Sequence, residues 1–111
     1  MTSIQLELSK PYGLFFQALA NPIRIRIVQF LKDAKTGSSV SKICGELKLE
    51  QSQVSHALRC LAFCGIVTSL REGKSMIYKL NGKTMVPMLD LVEAHVEKYA
   101  SNLYACDALE R

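Results

Sequence analysis

Cys60 and Cys64 stand four residues apart in "RCLAFCGIV", residues 59–67. In a helix, side chains at that spacing project from one side, one turn apart. Two sulfurs so placed can grip a single ion as a bidentate claw. They can also form a reactive redox pair, or pack as small hydrophobes. With Val54 as the zero of a helical wheel, Leu58, Leu61 and Gly65 share its face, and Cys60 and Cys64 fall at about 240° and 280°. That places the thiols between the expected core stripe and the polar face opposite.

The polar face carries Ser52, Ser55, His56 and Arg59, with Gln51 and Gln53 beside it near the start of the segment. Hydroxyls, amides, imidazole and guanidinium are the groups that hydrogen-bond base edges and phosphates. An ordinary solvated helix face has the same composition, so this segment alone leaves both readings open. Arg71 and Lys74 flank a turn further along, where a hairpin tip can lie against a phosphate backbone. Hairpin solubility is the alternative for those two. His56 is assigned here to DNA contact rather than to metal.

The elements that position these residues follow from periodicity and punctuation. Residues 10–19 read as a helix with Pro11 in its first turn. Asn21-Pro22 ends it and starts the next, with Asn21 as N-cap and Pro22 as first helical residue, over residues 22–33. "DAKTGSS" is a loop. Ser39 caps a short helix, 40–47; "KLEQ" turns the chain; a helix follows over 51–64, closed by Gly65. The period then changes from 3.6 to 2: "IVTSLRE" and "SMIYKL" flank Glu72-Gly73-Lys74 as a hairpin. A long helix follows, with Pro87 near its start. The order predicts one mainly α domain over 1–111 with a small β-hairpin. It comprises a helix-turn-helix (about 39–64), a wing (about 66–80) and a C-terminal helix (about 84–104). The end helices have apolar faces without obvious partners in so small a head, which predicts a homodimer formed through them.

The bulk composition agrees. The chain has 111 residues and a net charge of +4, from 14 Lys+Arg against 10 Asp+Glu. That mild basicity suits a polyanionic partner. The start, "MTSIQLELSK", has no basic region followed by an apolar stretch, and no apolar run approaches the roughly 18 residues of a membrane span. The expectation is a cytoplasmic protein without membrane association, in which cysteines serve as thiols or metal ligands. No phosphate loop, paired-carboxylate motif or nucleophile elbow is present, so an enzyme is not expected.

Three stretches resemble one family. "LFFQALANPIRIRIVQFL" is similar to the A-L-x-[DN]-P-x-R-x-x-I-L signature of the ArsR/SmtB repressors. "LEQSQVSHALRCLAFCGIV" resembles their recognition helix, with His56 one place earlier than the family's histidine. "REGKSMIYKL" resembles their wing. The resemblance covers roughly residues 12–100. It implies a dimeric winged-helix repressor that binds double-stranded operator DNA and is released by an inducer, often a metal or metalloid.

The family's sensor sites can be tested one by one. The arsenic-type C-x-C is missing, since "SKICGEL" holds only Cys44, which reads as structural. The zinc-type pattern on the last helix is missing too: Asp90 and His95 do not match it, and His95 reads as a surface or interface residue. "RCLAFCG" does resemble the cadmium/lead-sensing branch, which pairs two cysteines four apart with a third near the C-terminus; Cys106 falls about where that third ligand lies. The resemblance therefore implies a metal set of Cys60, Cys64 and Cys106. Thiolates favour Cd(II), Pb(II) or As(III), and Zn(II) less because it usually takes a fourth ligand. The expected function is a metal- or metalloid-responsive repressor. A thiol-redox-responsive repressor of the same fold and a protein-binding winged-helix module are the alternatives.

Overall fold

The computed structural model describes residues 3–109. The chain forms two compact units, 1–81 and 82–111. The first holds α1 (Ser3–Leu19), α2 (Pro22–Asp33), β1 (Ser38–Ser39), α3 (Val40–Leu47), α4 (Gln51–Phe63), β2 (Val67–Glu72) and β3 (Ser75–Leu80). The second holds α5 (Met85–Ala105). This is the expected winged helix-turn-helix. No described helix is long and apolar enough to cross a membrane.

The helix joints follow the punctuation. Asn21 has extended backbone, and its Oδ1 accepts from the Ile23 and Arg24 N–H groups at 3.1 and 3.0 Å. Two of the four donors left over at the start of α2 are thereby satisfied, with Pro22 in the first turn. Ser39 caps α3 by accepting from the Lys42 N–H at 3.2 Å. Between α3 and α4 the chain turns through Lys48, a left-handed residue at φ 55°.

Two arginines of "RIRI" brace neighbouring helices. Arg24 donates from Nε to the Ala18 carbonyl, at 2.6 Å, and from Nη2 to the Gln17 carbonyl, at 3.4 Å. Arg26 donates from Nη2 to the Leu47 carbonyl at the end of α3, at 2.6 Å. All three acceptors lie in last helical turns, where carbonyls have no intrahelical donor.

The core of the first unit lies where α2, α3, α4 and the sheet meet. Ile27 and Leu31 of α2, Ile43 of α3, and Val54, Leu58 and Leu61 of α4 are essentially inaccessible, with Ile66 and Val67 beside them. Ala57 is buried as well, which widens the stripe expected for α4.

Four features differ from the expectation. α1 begins at Ser3, and Pro11 lies inside it rather than in its first turn. Every position from 8 to 14 is exposed, so the proline ring lies against solvent rather than against the core. The loop after α2 contributes a third strand: Ser38 and Ser39 pair with Tyr78 and Ile77, giving an antiparallel sheet of order β1-β3-β2. Gly37 makes this close approach with φ 92°; a Cβ there would meet Ile77 Cγ2 at 2.7 Å and the Tyr78 carbonyl at 2.9 Å. α4 ends at Phe63, so Cys64 is its C-cap rather than its last turn. Within α5, Tyr99 has non-helical backbone (φ −110°, ψ 17°), an interruption its apolar pattern does not signal.

Candidate nucleic-acid interface and thiol pair

α4 is the second helix of the helix-turn-helix, and its solvent face is the one the sequence assigns to DNA. Gln51, Ser52, Gln53, His56 and Arg59 are exposed and Ser55 is half-buried. Val54, Ala57, Leu58 and Leu61 hold the opposite face in the core. Gln53 also closes the start of α4, where its Oε1 accepts the Glu50 N–H at 3.1 Å. The hairpin stands beside this helix. β2 and β3 pair in register from Val67–Leu80 to Glu72–Ser75, so the turn is Gly73-Lys74, with Gly73 at φ 61°. Arg71 and Lys74 are both exposed near that tip.

An open groove separates α4 from the sheet. Ser55, Arg59 and Phe63 line its helix side and Ser69 and Tyr78 its sheet side. Phe63, Ser69 and Tyr78 were not among the residues the sequence singled out. Phe63 is 93% exposed, an aromatic ring on the outer face of α4. The signal was available on the helical wheel, where Phe63 lies about 180° from the core residue Val54.

The thiol pair sits at the end of this helix, and the helix end is tightly specified. The Cys64 N–H donates to the Cys60 carbonyl at 3.0 Å. Beyond it the Gly65 N–H reaches Ala62 O at 3.1 Å and the Ile66 N–H reaches Leu61 O at 2.9 Å. Those two bonds, with Gly65 at φ 76°, form a Schellman motif, and its apolar partners Leu61 and Ile66 are fully buried. Asn81 reinforces it by donating from Nδ2 to the Gly65 carbonyl at 3.1 Å. Cys60 is half-buried and Cys64 exposed, so a small ion has access to both.

The two thiols touch electrostatically. Partial desolvation, the neighbouring Cys60 sulfur and the hydrogen bond between the two side chains push the Cys64 thiol above its ordinary range; the Arg24 charge pulls it back. At neutral pH Cys64 is therefore a protonated thiol, and an ion bound there must displace its proton.

The other sequence-singled residues lie elsewhere. Cys44 is half-buried on α3, away from the Cys60–Cys64 pair in sequence and element. Cys106 is the C-cap of α5, in the second unit, with its N–H on the Leu103 carbonyl at 3.4 Å. His95 packs against Tyr99 on α5, ring centroids 4.6 Å apart. Among the described residues, no three His, Cys, Asp or Glu side chains converge as a metal-binding group. Cys60 and Cys64 are thus a two-donor set as the chain stands.

Comparison with known proteins gives the family. Residues 21–69, which span α2 through the start of β2, match the family "Bacterial regulatory protein, arsR family". A Streptomyces lividans protein described as "Probable mercury resistance operon repressor" is 31% identical over 93 residues, 83% of this chain and 72% of that one. The HTH-type transcriptional regulator NmtR of Mycobacterium tuberculosis is 36% identical over 81 residues, 73% of this chain and 66% of that one. The crystal structure of M. tuberculosis Rv0081 superimposes with a TM-score of 0.78 at 30% identity, covering 88% of this chain and 97% of that one. With its helix-turn-helix, wing and these relatives, the chain belongs to the ArsR family of bacterial transcriptional regulators and is not an enzyme.

Proposed function

We propose that this protein is a cytoplasmic repressor that grips operator DNA as a homodimer and lets go when a soft metal or metalloid binds Cys60 and Cys64. The observation that carries the reading is the placement of the pair: two thiols one turn apart, Cys60 half-buried and Cys64 exposed, at the end of the helix whose outer face we assign to DNA. The donor set fits the ion. Thiolates favour Cd(II), Pb(II), As(III) or Hg(II) over hard cations, and two sulfurs on one helix end can bind such an ion together. The mercury-resistance description of one relative supports the same class of inducer. Cys106 is the candidate third donor, from the same chain or from a second copy, and it would complete a three-sulfur shell.

DNA contact is assigned to Gln51, Ser52, Gln53, Ser55, His56 and Arg59 of α4, with Arg71 and Lys74 at the wing tip on the phosphates. The dimer would form on the apolar faces left open by the end helices. Tyr12, Leu14 and Phe16 of α1 are 64%, 56% and 59% exposed, and Leu91 and Tyr104 of α5 are 74% and 78% exposed. A second copy of the chain, giving one winged-helix unit per protomer, covers such faces by two-fold symmetry.

An ion held there would displace thiol protons to water and add metal–sulfur bonds at the end of α4, with no change in net charge where a divalent ion replaces two protons. If the metal-bound form disfavours the DNA-binding arrangement, metal and operator oppose each other through one coupling free energy, typically about 1–3 kcal/mol. The test is a gel shift on the DNA upstream of the protein's own gene, with Cd(II), Pb(II), As(III), Hg(II), Zn(II) and an oxidant added separately under otherwise reducing conditions. Release by thiophilic ions is expected, together with an ultraviolet sulfur-to-metal charge-transfer band. Operator affinity untouched by every ion would overturn the reading, and release by oxidant alone would replace it with the redox one.

A further inference from the structure

We propose that the groove between α4 and the hairpin seats one phosphate of the DNA backbone, with the Tyr78 and Ser69 hydroxyls as its donors. The proposal rests on the DNA-binding part of the reading above and adds a contact from the sheet to those of α4 and the wing tip.

Strand register puts the two donors side by side. Ser69 of β2 lies directly across from Tyr78 of β3, so both side chains stand on one face of the sheet. The neighbouring pair on that face is Val67 and Leu80, 2% and 3% exposed, which belongs to the core beneath α4. The next pair towards the tip is Arg71 and Met76. This face therefore runs from core to solvent, and it opens into the groove at Ser69 and Tyr78. Leu70, one residue along β2, is exposed on the opposite face.

The helix supplies the other wall. Ser55, Arg59 and Phe63 follow one another at four-residue spacing along α4, beside the apolar floor of Leu58 and Ala62. The polar lining is thus three hydroxyls and one guanidinium, with no carboxylate. Among the described residues, no side-chain partner engages any of these four groups. Unengaged donors beside a fixed positive charge suit an anion. The shape says which anion. The groove offers about 470 Å³ but lies open along the outer face of α4, so a small molecule in it would stay largely in water. A duplex laid on Ser55 and Arg59 from outside passes directly over it. Tyrosine and serine hydroxyls are regular donors to backbone phosphates, and bonds to a charged oxygen are the stronger kind. Phe63, at the far end of the helix wall, presents an apolar ring to the adjoining sugar.

The test is fluorescence anisotropy of the full chain on two labelled duplexes, the fragment upstream of its own gene and a random sequence, over a salt series. Tyr78→Phe removes one hydroxyl and keeps the ring; Ser69→Ala removes the other; Leu70→Ala is the control on the opposite face. Tyr78→Phe is expected to bind both duplexes about tenfold more weakly, and Ser69→Ala about threefold. Both should keep the wild-type salt slope, because a neutral donor releases no counterion. Leu70→Ala is expected to bind as wild type does. On fragments carrying single methylphosphonates, wild type should lose affinity at the seated phosphate, and Tyr78→Phe should lose no more there. Tyr78→Phe within about twofold of wild type, a loss confined to one duplex, an equal loss in Leu70→Ala, or losses that add at every methylphosphonate would each overturn the seat. Ser69→Ala, an exposed change, decides the question if Tyr78→Phe fails to fold. A wild type that binds neither duplex would instead overturn the DNA-binding reading beneath it.

Discussion

Cys64 donates its backbone N–H to the Cys60 carbonyl at 3.0 Å, so the two thiols keep helical spacing although the second is already the cap of α4. The pair therefore inherits its geometry from a helix end rather than from a loop. This relationship governs how the site responds to mutation, because the two sulfurs differ in burial while sharing one backbone bond.

The cysteines separate by role. Cys64→Ser replaces an exposed thiol by a hydroxyl and should leave the melting temperature within a degree or two of wild type, since an exposed substitution usually costs less than about 0.5 kcal/mol. It should abolish the Cd(II) charge-transfer band and the Cd(II)-induced loss of operator binding. Cys44→Ser alters a half-buried α3 position and should leave both metal readouts intact. A band retained in Cys64→Ser but lost in Cys44→Ser would place the site elsewhere. Absorbance titration of each purified variant decides this.

Metal uptake should strengthen with pH. The Cys64 thiol is pushed above its ordinary range by desolvation and by the Cys60 sulfur, so at neutral pH it is protonated in the free protein. Each sulfur that binds an ion gives up a proton, and raising pH removes that competition. Cd(II) affinity should therefore climb between about pH 6 and 9, by roughly one log unit per pH unit for the proton that Cys64 gives up. Isothermal titration in buffers of different ionisation enthalpy would count the protons, and a flat profile would mean that the thiols are not the ligands.

The DNA face predicts two different losses. Arg59, exposed on α4 beside Ser55 and the groove, is proposed to contact bases; Arg59→Ala should then cost about 1–3 kcal/mol on the specific operator and far less on random DNA. Lys74, at the hairpin tip, is the residue proposed to meet phosphate. Lys74→Ala should weaken both DNAs alike and flatten the salt dependence by about one unit of slope. Fluorescence anisotropy over a salt series separates the cases, and identical salt slopes for wild type and Lys74→Ala would remove the wing from the interface.

Much of this architecture was legible because a few residues allow few alternatives. Asn21-Pro22 can cap and start a helix but not continue one, and it marks the α1–α2 joint correctly. Gly65 reaches φ 76°, which few side chains tolerate, so it marks the end of α4 to within a residue. Other features depend on partners far away in sequence. β1 has two residues and exists only because β3 lies beside it. Pro11 looks like a helix start, and that α1 runs through it depends on exposure that no local pattern encodes. Arg24 and Arg26 read as two charges in an amphipathic stripe, whereas their bonds to Ala18, Gln17 and Leu47 are set by where α1 and α3 end. In the candidate site, the polar face and the thiol pair follow from helical periodicity.

Gly65 ties the fold to the thiols. At φ 76° an alanine is strained by roughly 1–2 kcal/mol, although no atom lies within 4 Å of where its Cβ would stand. Gly65→Ala should therefore fold with a lower melting temperature rather than collapse. Relief of the strain would loosen the Gly65–Ala62 and Ile66–Leu61 bonds that fix the Cys64 backbone. Cd(II) affinity should fall together with stability, while Gly45→Ala, an exposed α3 position with open space around it, should leave Cd(II) affinity unchanged. Thermal melts paired with Cd(II) titrations check the coupling; an unstable Gly65→Ala with wild-type Cd(II) affinity would show that the pair does not need the Schellman end.

Asn21 opens α2 just before the turn that carries Arg24, so two caps meet at the α1–α2 joint. Its Oδ1 satisfies two backbone donors, and Asn21→Ala removes both bonds, a change that costs about 1–2 kcal/mol for a helix N-cap. Asn21→Asp keeps the acceptor oxygen and adds a negative charge at the helix start, where the helix dipole favours it. The alanine variant should melt several degrees lower and the aspartate variant at or above wild type. The alanine change also removes the bond that fixes the Arg24 N–H, so the Arg24 side chain should hold Ala18 and Gln17 less firmly. Amide exchange near residues 16–21 should then be faster in Asn21→Ala than its loss of global stability alone predicts. Exchange that rises only in proportion to global stability would show that the two caps at this joint act independently.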